Sequence, residues 1–347
     1  MSNTQTRDFL DLSQQVKDAG LMDRRTGRYM IRCTALGLGF IIACTLLLTL
    51  GDSLWQLAVA VLFGVLFTQV AFLCHDSAHQ QVFASGRSNI RFSRVVGNLV
   101  AGMSYQWWVR KHSKHHANPN TIGKDGDIKT GVLVFNPEET AGRTGLLGWI
   151  TPRQGWLFFP LLTLYGPVLH FNAVKTLLQQ KNHKSRKVDG LLLLIRLISF
   201  PLLVIWVLGP GLGVGFLAVQ LMVFGLYMGS SFAPNHKGMP LIPQGTEIDF
   251  LHRQVLTSRN IRGGQWLDWA MGGLNYQIEH HIFPRMPSAN LPIVQPLVKQ
   301  FCIERGISYT ETGLVEAYGI VIRYLNRVGL GHSDPMECPI VAQFRPR

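Results

Sequence analysis

Eight histidines fall into three clusters and one isolated position. His75 and His79 lie in HDSAH, and His112, His115 and His116 in HSKHH. His236 stands in APNHKGM, and His280 and His281 close QIEHH. Residues three and four apart share a helix face. His75 and His79 have that spacing, as do His112, His115 and His116, and Gln277 with His280 and His281. Each cluster can therefore aim its imidazoles at one point. Imidazole suits Fe, Zn, Cu and Ni, whereas Mg and Ca want oxygen. Eight imidazoles exceed what one four-coordinate zinc takes and match two metal ions with four nitrogens each. A single HxxxH arises by chance on many helices, so the weight rests on the set. HDSAH also lacks the Glu base of HExxH, which argues against a zinc hydrolase.

The elements that must position these residues read as membrane helices. The chain has 347 residues, 47% apolar and only 15% charged. A typical soluble domain carries about 25% charged residues. Formal net charge is +13, with 33 Lys+Arg against 20 Asp+Glu. These figures exclude a disordered chain, a disulfide-knit secreted module and a nucleic-acid-binding tail, and no nucleic acid partner is expected. Five scattered cysteines without a CxxC pair read as reduced thiols. Residues 1–28 are polar and no secretory signal is visible.

A span needs about 20 mostly apolar residues. Residues 33–50, 54–74, 191–208 and 213–232 qualify, in two hairpins turned at Gly51-Asp52-Ser53 and Gly209-Pro210-Gly211-Leu212. Six Lys+Arg precede residue 33, fifteen lie in 74–188 and eleven follow residue 236. The two turns carry none, and Arg196 alone lies inside a span, where it is expected to snorkel to the basic side. The positive-inside rule then puts residues 1–32, 75–190 and 233–347, with both termini, in the cytoplasm. Residues 156–169 are too short to span, are interrupted by Pro160, and read as interfacial, as does the shorter 95–105 stretch. All eight histidines then share one side of the membrane. The expected fold is an all-α integral membrane protein, four transmembrane helices in two hairpins with a cytoplasmic helical cap holding the metal site. It forms one domain over 1–347, without internal repeats.

These clusters resemble the histidine boxes of the membrane fatty acid desaturases, over about residues 70–300. HDSAH is similar to the first box and HSKHH to the second. QIEHH is similar to the third box in the variant where Gln replaces the first His, typical of front-end desaturases. QWWVRKHSKHHANPNTIGKDGDI and LNYQIEHHIFP carry the same resemblance. It extends to actinobacterial acyl-CoA desaturases with the Gln box, which implies a bacterial inner (plasma) membrane.

The resemblance implies a di-iron centre held by His75, His79, His112, His115, His116, His280 and His281, with O2 as co-substrate. His236 occupies the place of a further ligand found in related acyl-CoA desaturases. An Asn four residues earlier assists there; here that position is Phe232, and Asn235 is the substitute candidate. Gln277 is a weak ligand, a water-mediated one or a neighbour. The implied reaction removes two hydrogens from adjacent methylenes and leaves a cis double bond. The substrate is an acyl-CoA or acyl-lipid in the bilayer. Many front-end desaturases carry a fused cytochrome b5 domain with an HPGG haem motif. None occurs here, so the expected donor is a separate ferredoxin or cytochrome b5 with its reductase. The basic surface offers to steer an acidic carrier.

Metal-bound His usually donates its other N–H to a carboxylate or carbonyl. Asp76, Asp125, Asp127, Asp268 and Glu279 are placed for that, and Asn235 joins them. Trp107, Trp108 and Tyr276 are candidates to line an acyl path, and Arg110, Lys111 and Lys114 to meet phosphate, against an ordinary interfacial or positive-inside role for each. His170, His183, His252 and His332 receive no role. Two other readings stand beside desaturation. One is a hydroxylase or ketolase using the same centre. The other is a non-catalytic metal-binding membrane protein such as a transporter. Transport needs polar residues near mid-bilayer, and the spans hold only Gln56, Gln69, Gln220 and Arg196 as large polar residues.

Overall fold

The computed structural model describes residues 3–179 and 185–331. In chain order the helices are α1 (Asn3–Asp18), α2 (Thr26–Thr49), α3 (Gln56–Ala78), α4 (Gly86–Arg94) and α5 (Tyr105–Ala117). Then come α6 (Gly145–Ile150), α7 (Phe158–Leu162), α8 (Tyr165–Gln179), α9 (Arg186–His236) and α10 (Phe250–Leu256). Strand β1 (Asn260–Arg262) precedes α11 (Gln265–Ala270), α12 (Gln277–Ile282) and α13 (Leu291–Glu304). Strand β2 (Glu311–Gly313) and α14 (Leu314–Gly329) close the described chain. The protein is thus mostly helical, with a small sheet that the residue pattern did not announce. His183 and His332 lie outside the described residues.

The chain divides into two compact units. One comprises residues 24–110 and 159–230, the other the residues up to 23, 111–158 and those from 231 on.

The first unit holds the apolar runs. Among the described residues, three helices are long and apolar enough to cross a membrane: α2, α3 and α9. Of their most apolar windows, 72% is buried in α3 but only 17% in α2 and 22% in α9, so α3 is the inner helix of its unit. Gly51 (φ 63°) turns the chain between α2 and α3. There the Gln56 amide donates to Leu47 O (3.0 Å) and Gly51 O (3.2 Å), satisfying carbonyls that the end of α2 leaves open. Helix α3 runs on past the expected end of the second span at residue 74, so His75 lies in its last turn.

The four-residue turn expected at 209–212 is a break at one residue. Gly209 alone leaves the helical region (φ 72°, ψ 167°), and Pro210 starts the next helical arm. Glycine tolerates the positive φ, and proline suits the first position of a helix. A Cβ on Gly213 would sit 3.1 Å from Ile205 Cα, so the two arms fold back closely on each other. Residues 156–169 fall into α7 and the start of α8, and neither helix is long and apolar enough to span.

Arg196 departs from the snorkelling expected of it. It is buried, its Nε donates to Val100 O (2.8 Å), and its guanidinium stacks on Phe67 (4.2 Å) and Phe200 (4.3 Å). A weakly hydrated planar cation is suited to such aromatic faces. Val95–Ala101 forms a wide π-type turn, closed by left-handed Gly102 (φ 73°). Asn98 and Arg94 both hold Asp189 at the start of α9 (3.0 and 3.1 Å).

The second unit has its own apolar core, with Leu12 and Val16 of α1 against Leu251 and Val255 of α10, Ile278 of α12 and Val298 of α13. Strands β1 and β2 pair in parallel, with Asn260 opposite Glu311 and Arg262 opposite Gly313. A parallel pair needs a long crossover, and that crossover contains α12, the helix that carries QIEHH.

Candidate metal centre

Six of the eight histidines belong to the second unit. Helix α5 brings His112, His115 and His116, the end of α9 brings His236, and α12 brings His280 and His281. In α12 all six residues are buried. A triad of bonds holds that helix against β1. Asn260 Nδ2 donates to Glu279 Oε2 (2.7 Å) and Asn260 Oδ1 accepts from Ile278 N (2.9 Å). The Tyr309 hydroxyl donates to Glu279 Oε1 (2.6 Å). Burial pushes the Glu279 carboxyl up to about 7, against the lowering effect of the bonds from Tyr309 and Asn260. Glu279 thus anchors α12 through Asn260 and Tyr309 rather than bonding a histidine.

The six imidazoles form two neighbouring groups. His112, His116 and His280 offer ligand atoms within 4.8 Å of one another, and so do His115, His236 and His281. The groups adjoin, with His116 stacked on His281 at 4.2 Å between ring centroids. The spacings suit a shared cation in each. His115 Nε2 and His236 Nε2 are 3.2 Å apart, and His112 Nε2 and His116 Nε2 are 2.9 Å apart. Two imidazole nitrogens bound at about 2.0–2.1 Å to one ion lie roughly 2.9–3.4 Å apart.

The tautomers agree with that fit. His236 Nδ1 lies 2.9 Å from Thr257 O, a pure acceptor, so the proton is on Nδ1 and the lone pair on Nε2. His281 Nδ1 donates to Gln254 Oε1 (2.9 Å), and Gln254 Nε2 donates to His116 O (3.0 Å), which sets the amide's orientation. His115 Nδ1 lies 2.9 Å from Asp125 Oδ2. Three Nε2 lone pairs therefore face one group. Without a cation or a proton between them they would repel, so the donor set fits a metal that takes neutral imidazole.

Asp125 is fastened in turn. Its Oδ2 accepts from Asn120 N and its Oδ1 from Asp127 N, both at 2.8 Å. Burial alone would raise its carboxyl, but the bond and charge of His115 hold it below the usual range. Asp127 is also held low against burial, chiefly by Lys111 (2.5 Å), and sits 3.4 Å from His115 Nδ1. Lys237 donates to Asp127 O (2.9 Å) and packs over the Phe135 ring. Because both carboxylates face Nδ1 of His115, they orient that ring. Asn235 donates to Gln277 Oε1 (3.0 Å), and Gln277 Nε2 lies 2.9 Å from His236 Nε2.

The first unit carries His75 and His79, with ring centroids 4.8 Å apart. His75 Nδ1 lies 3.0 Å from Asp76 Oδ1, and Asp76 Oδ2 accepts from the Tyr29 hydroxyl (3.2 Å). Trp108 packs edge-on to His75 at 5.4 Å, while Trp107 is half-buried and Arg110 exposed. Asp268 binds Asn275 (2.7 Å). His170 is half-buried beside Gly102 and the Arg196 stem, and His252 pairs with Asp249 (2.7 Å).

The Thr257 carbonyl, Gln254, Asn120 and Lys237 were not singled out from sequence. Gln254 and Thr257 lie 27 and 21 residues from His281 and His236, and no motif marks them, whereas Asn120 and Lys237 lie inside HSKHHANPN and APNHKGM, where helical spacing does not single them out.

The family model described as fatty acid desaturase matches residues 52–313. The chain belongs to the fatty acid desaturase family. It is 30% identical over 322 residues to a Delta(5) fatty acid desaturase of Caenorhabditis elegans, covering 87% of this chain and 69% of that one. It is 28% identical over 347 residues to a Delta(6)-fatty-acid desaturase of the same organism, covering 92% and 74%. A Delta(8)-fatty-acid desaturase of Arabidopsis thaliana is 28% identical over 348 residues, covering 95% and 76%. As a desaturase the chain is an oxidoreductase of lipid metabolism. The matched residues 52–313 contain every histidine of the three boxes and His236.

Proposed function

We propose that this desaturase inserts a cis double bond into the acyl chain of a CoA thioester or membrane lipid, between an existing double bond and the carboxyl end. The observation that carries the metal chemistry is the pair of adjoining imidazole groups whose Nε2 lone pairs converge in three cases. His75, His79, His112, His115, His116, His236, His280 and His281 are the proposed ligands of two irons. The Gln box and the Delta(5), Delta(6) and Delta(8) names of its relatives support the front-end position.

When bound, the irons with O2 supply the oxidant that an unactivated C–H bond requires and that side chains lack. The chain's own groups do the rest. Thr257 O, Gln254 and Asp125 keep the Nδ1 proton side of three ligands occupied, so each ring presents Nε2 in a fixed orientation. Trp107 and Trp108 are proposed to border the acyl chain, and Arg110 and Lys111 its anionic head. Electrons come from a separate ferredoxin or cytochrome b5 type partner. The protein is proposed to be multi-pass with both termini cytoplasmic, a reading supported by the positive-inside charge distribution.

The test is mass-spectrometric fatty acid profiling with double-bond location, in cells expressing the chain or its His115→Ala variant. A new olefin carboxyl-proximal to an existing double bond, made only by the intact chain, is expected. A hydroxy acid in its place would overturn desaturation. A mid-chain olefin made from a saturated acyl group would overturn the front-end assignment.

A further inference from the structure

Helix α11 turns two tryptophans outward. Trp266 and Trp269 are 62% and 59% exposed. Three residues apart, they share one face of the helix. Leu267, between them in sequence, is buried and packs on Gly263, where a Cβ would lie 2.5 Å from Leu267 Cδ2. Asp268 Oδ1 accepts from Asn275 Nδ2 (2.7 Å). These two contacts fix which face of the short helix points out. Glycines at positive φ, Gly264 (73°) and Gly273 (87°), bound it on either side, so α11 stands as a short arm between β1 and α12.

The roots of the arm give its depth. On the way in, Arg259 N donates to Asn235 O (2.8 Å), and on the way out Leu274 O accepts from Asn235 Nδ2 (3.0 Å). Both roots are therefore fastened to Asn235, in the last turn of α9. The apolar run of α9 ends at residue 232, three residues earlier, which is about 4.5 Å along a helix. The polar layer on each side of the hydrocarbon core is roughly 5–7 Å thick. An arm rooted there lies at headgroup depth. Tryptophan suits that layer, because its ring is apolar and its N–H seeks a polar partner. The exit of the arm runs within a few residues into α12, which carries QIEHH.

We propose that α11 is an interfacial membrane anchor, with Trp266 and Trp269 seated in the headgroup layer of the bilayer. It holds the unit that carries QIEHH at a set height over the lipid. This rests on the multi-pass reading above.

Full-length wild type and the double variant Trp266→Phe/Trp269→Phe would be reconstituted in phosphatidylcholine nanodiscs, with and without bromine on the upper acyl carbons. The difference in emission between the two proteins isolates the pair from the remaining tryptophans. That emission is expected to be lost to brominated lipid and to be shielded from iodide in the buffer. Emission unchanged by brominated lipid would overturn the proposal, and its loss to iodide instead would leave the face to a soluble protein partner. Should the double variant fail to fold, Trp266→Phe and Trp269→Phe singly carry the same comparison. Release of the full chain from cell membranes by alkaline carbonate would overturn the multi-pass reading itself, a result distinct from either quenching pattern.

Discussion

The Nε2 atoms of His115 and His236 lie 3.2 Å apart, across 121 residues of sequence. His115 comes from α5 and His236 from the last turn of α9. Each ring is backed on Nδ1 by a fixed acceptor, Asp125 for one and Thr257 O for the other. Two neutral rings so arranged leave their lone pairs opposed, which is the condition a cation relieves.

Replacing His115 or His236 by Ala should therefore abolish desaturation and lower bound iron. The loss should exceed the roughly 10- to 100-fold that follows removal of an outer partner. Membrane fractionation and iron analysis of the same preparations check this. Full activity in either variant would contradict the ligand assignment.

Asp125→Asn keeps the shape but removes the charge behind His115 and one of two acceptor oxygens, which Asn120 N and Asp127 N also use. Iron affinity should fall by roughly 10- to 100-fold. Chelator competition measures it, with an unchanged amount of protein in the membrane as the control.

Gln254→Leu removes the acceptor of His281 Nδ1 and the donor to His116 O in one step. Its iron affinity should also drop about 10-fold or more, with Gln254→Glu restoring the acceptor and part of the affinity. Equal affinity in the Leu variant and wild type would show that Gln254 does not orient His281.

Tyr309→Phe leaves Glu279 without one of its two side-chain donors at a fully buried carboxyl. The cost should be about 1–3 kcal/mol, since a buried acceptor loses its partner. Thermal unfolding in detergent reads it as a lowered midpoint.

Gly225 and Gly166 let α8 and α9 approach backbone to backbone. A Cβ on Gly225 would lie 2.3 Å from Gly166 N, and one on Gly166 would lie 2.3 Å from Leu221 O. Small residues are what permits such contact between apolar helices. Gly225→Val should destabilise by at least the 1–3 kcal/mol typical of overpacking. A fall in the unfolding midpoint and in the yield of folded protein would report it.

What the sequence determined by itself is local or compositional. Helical spacing put His112, His115 and His116 on one face, because 3.6 residues per turn is a property of any helix. The runs that became α2, α3 and α9 were visible because bilayer insertion depends on summed apolar content. The box motifs carried the family for the same reason: HDSAH, HSKHH and QIEHH are each contiguous.

Only the tertiary structure decided which atoms those residues turn towards one another. Asp125 backs His115, because the chain after α5 folds back on that ring, while Glu279, next to His280 in sequence, is drawn to Asn260 and Tyr309. Gln254 and Thr257 serve His281 and His236 from α10 and its C-terminal cap, 27 and 21 residues away, and no periodicity links them. Arg196 is stacked between two phenylalanines instead of reaching the interface, because Phe67 of α3 and Phe200 of α9 meet there. Hydrogen-bond direction inside a dry core is a collective property of all the partners present. A residue's type supplies its donors and acceptors, and only packing decides which of them meet.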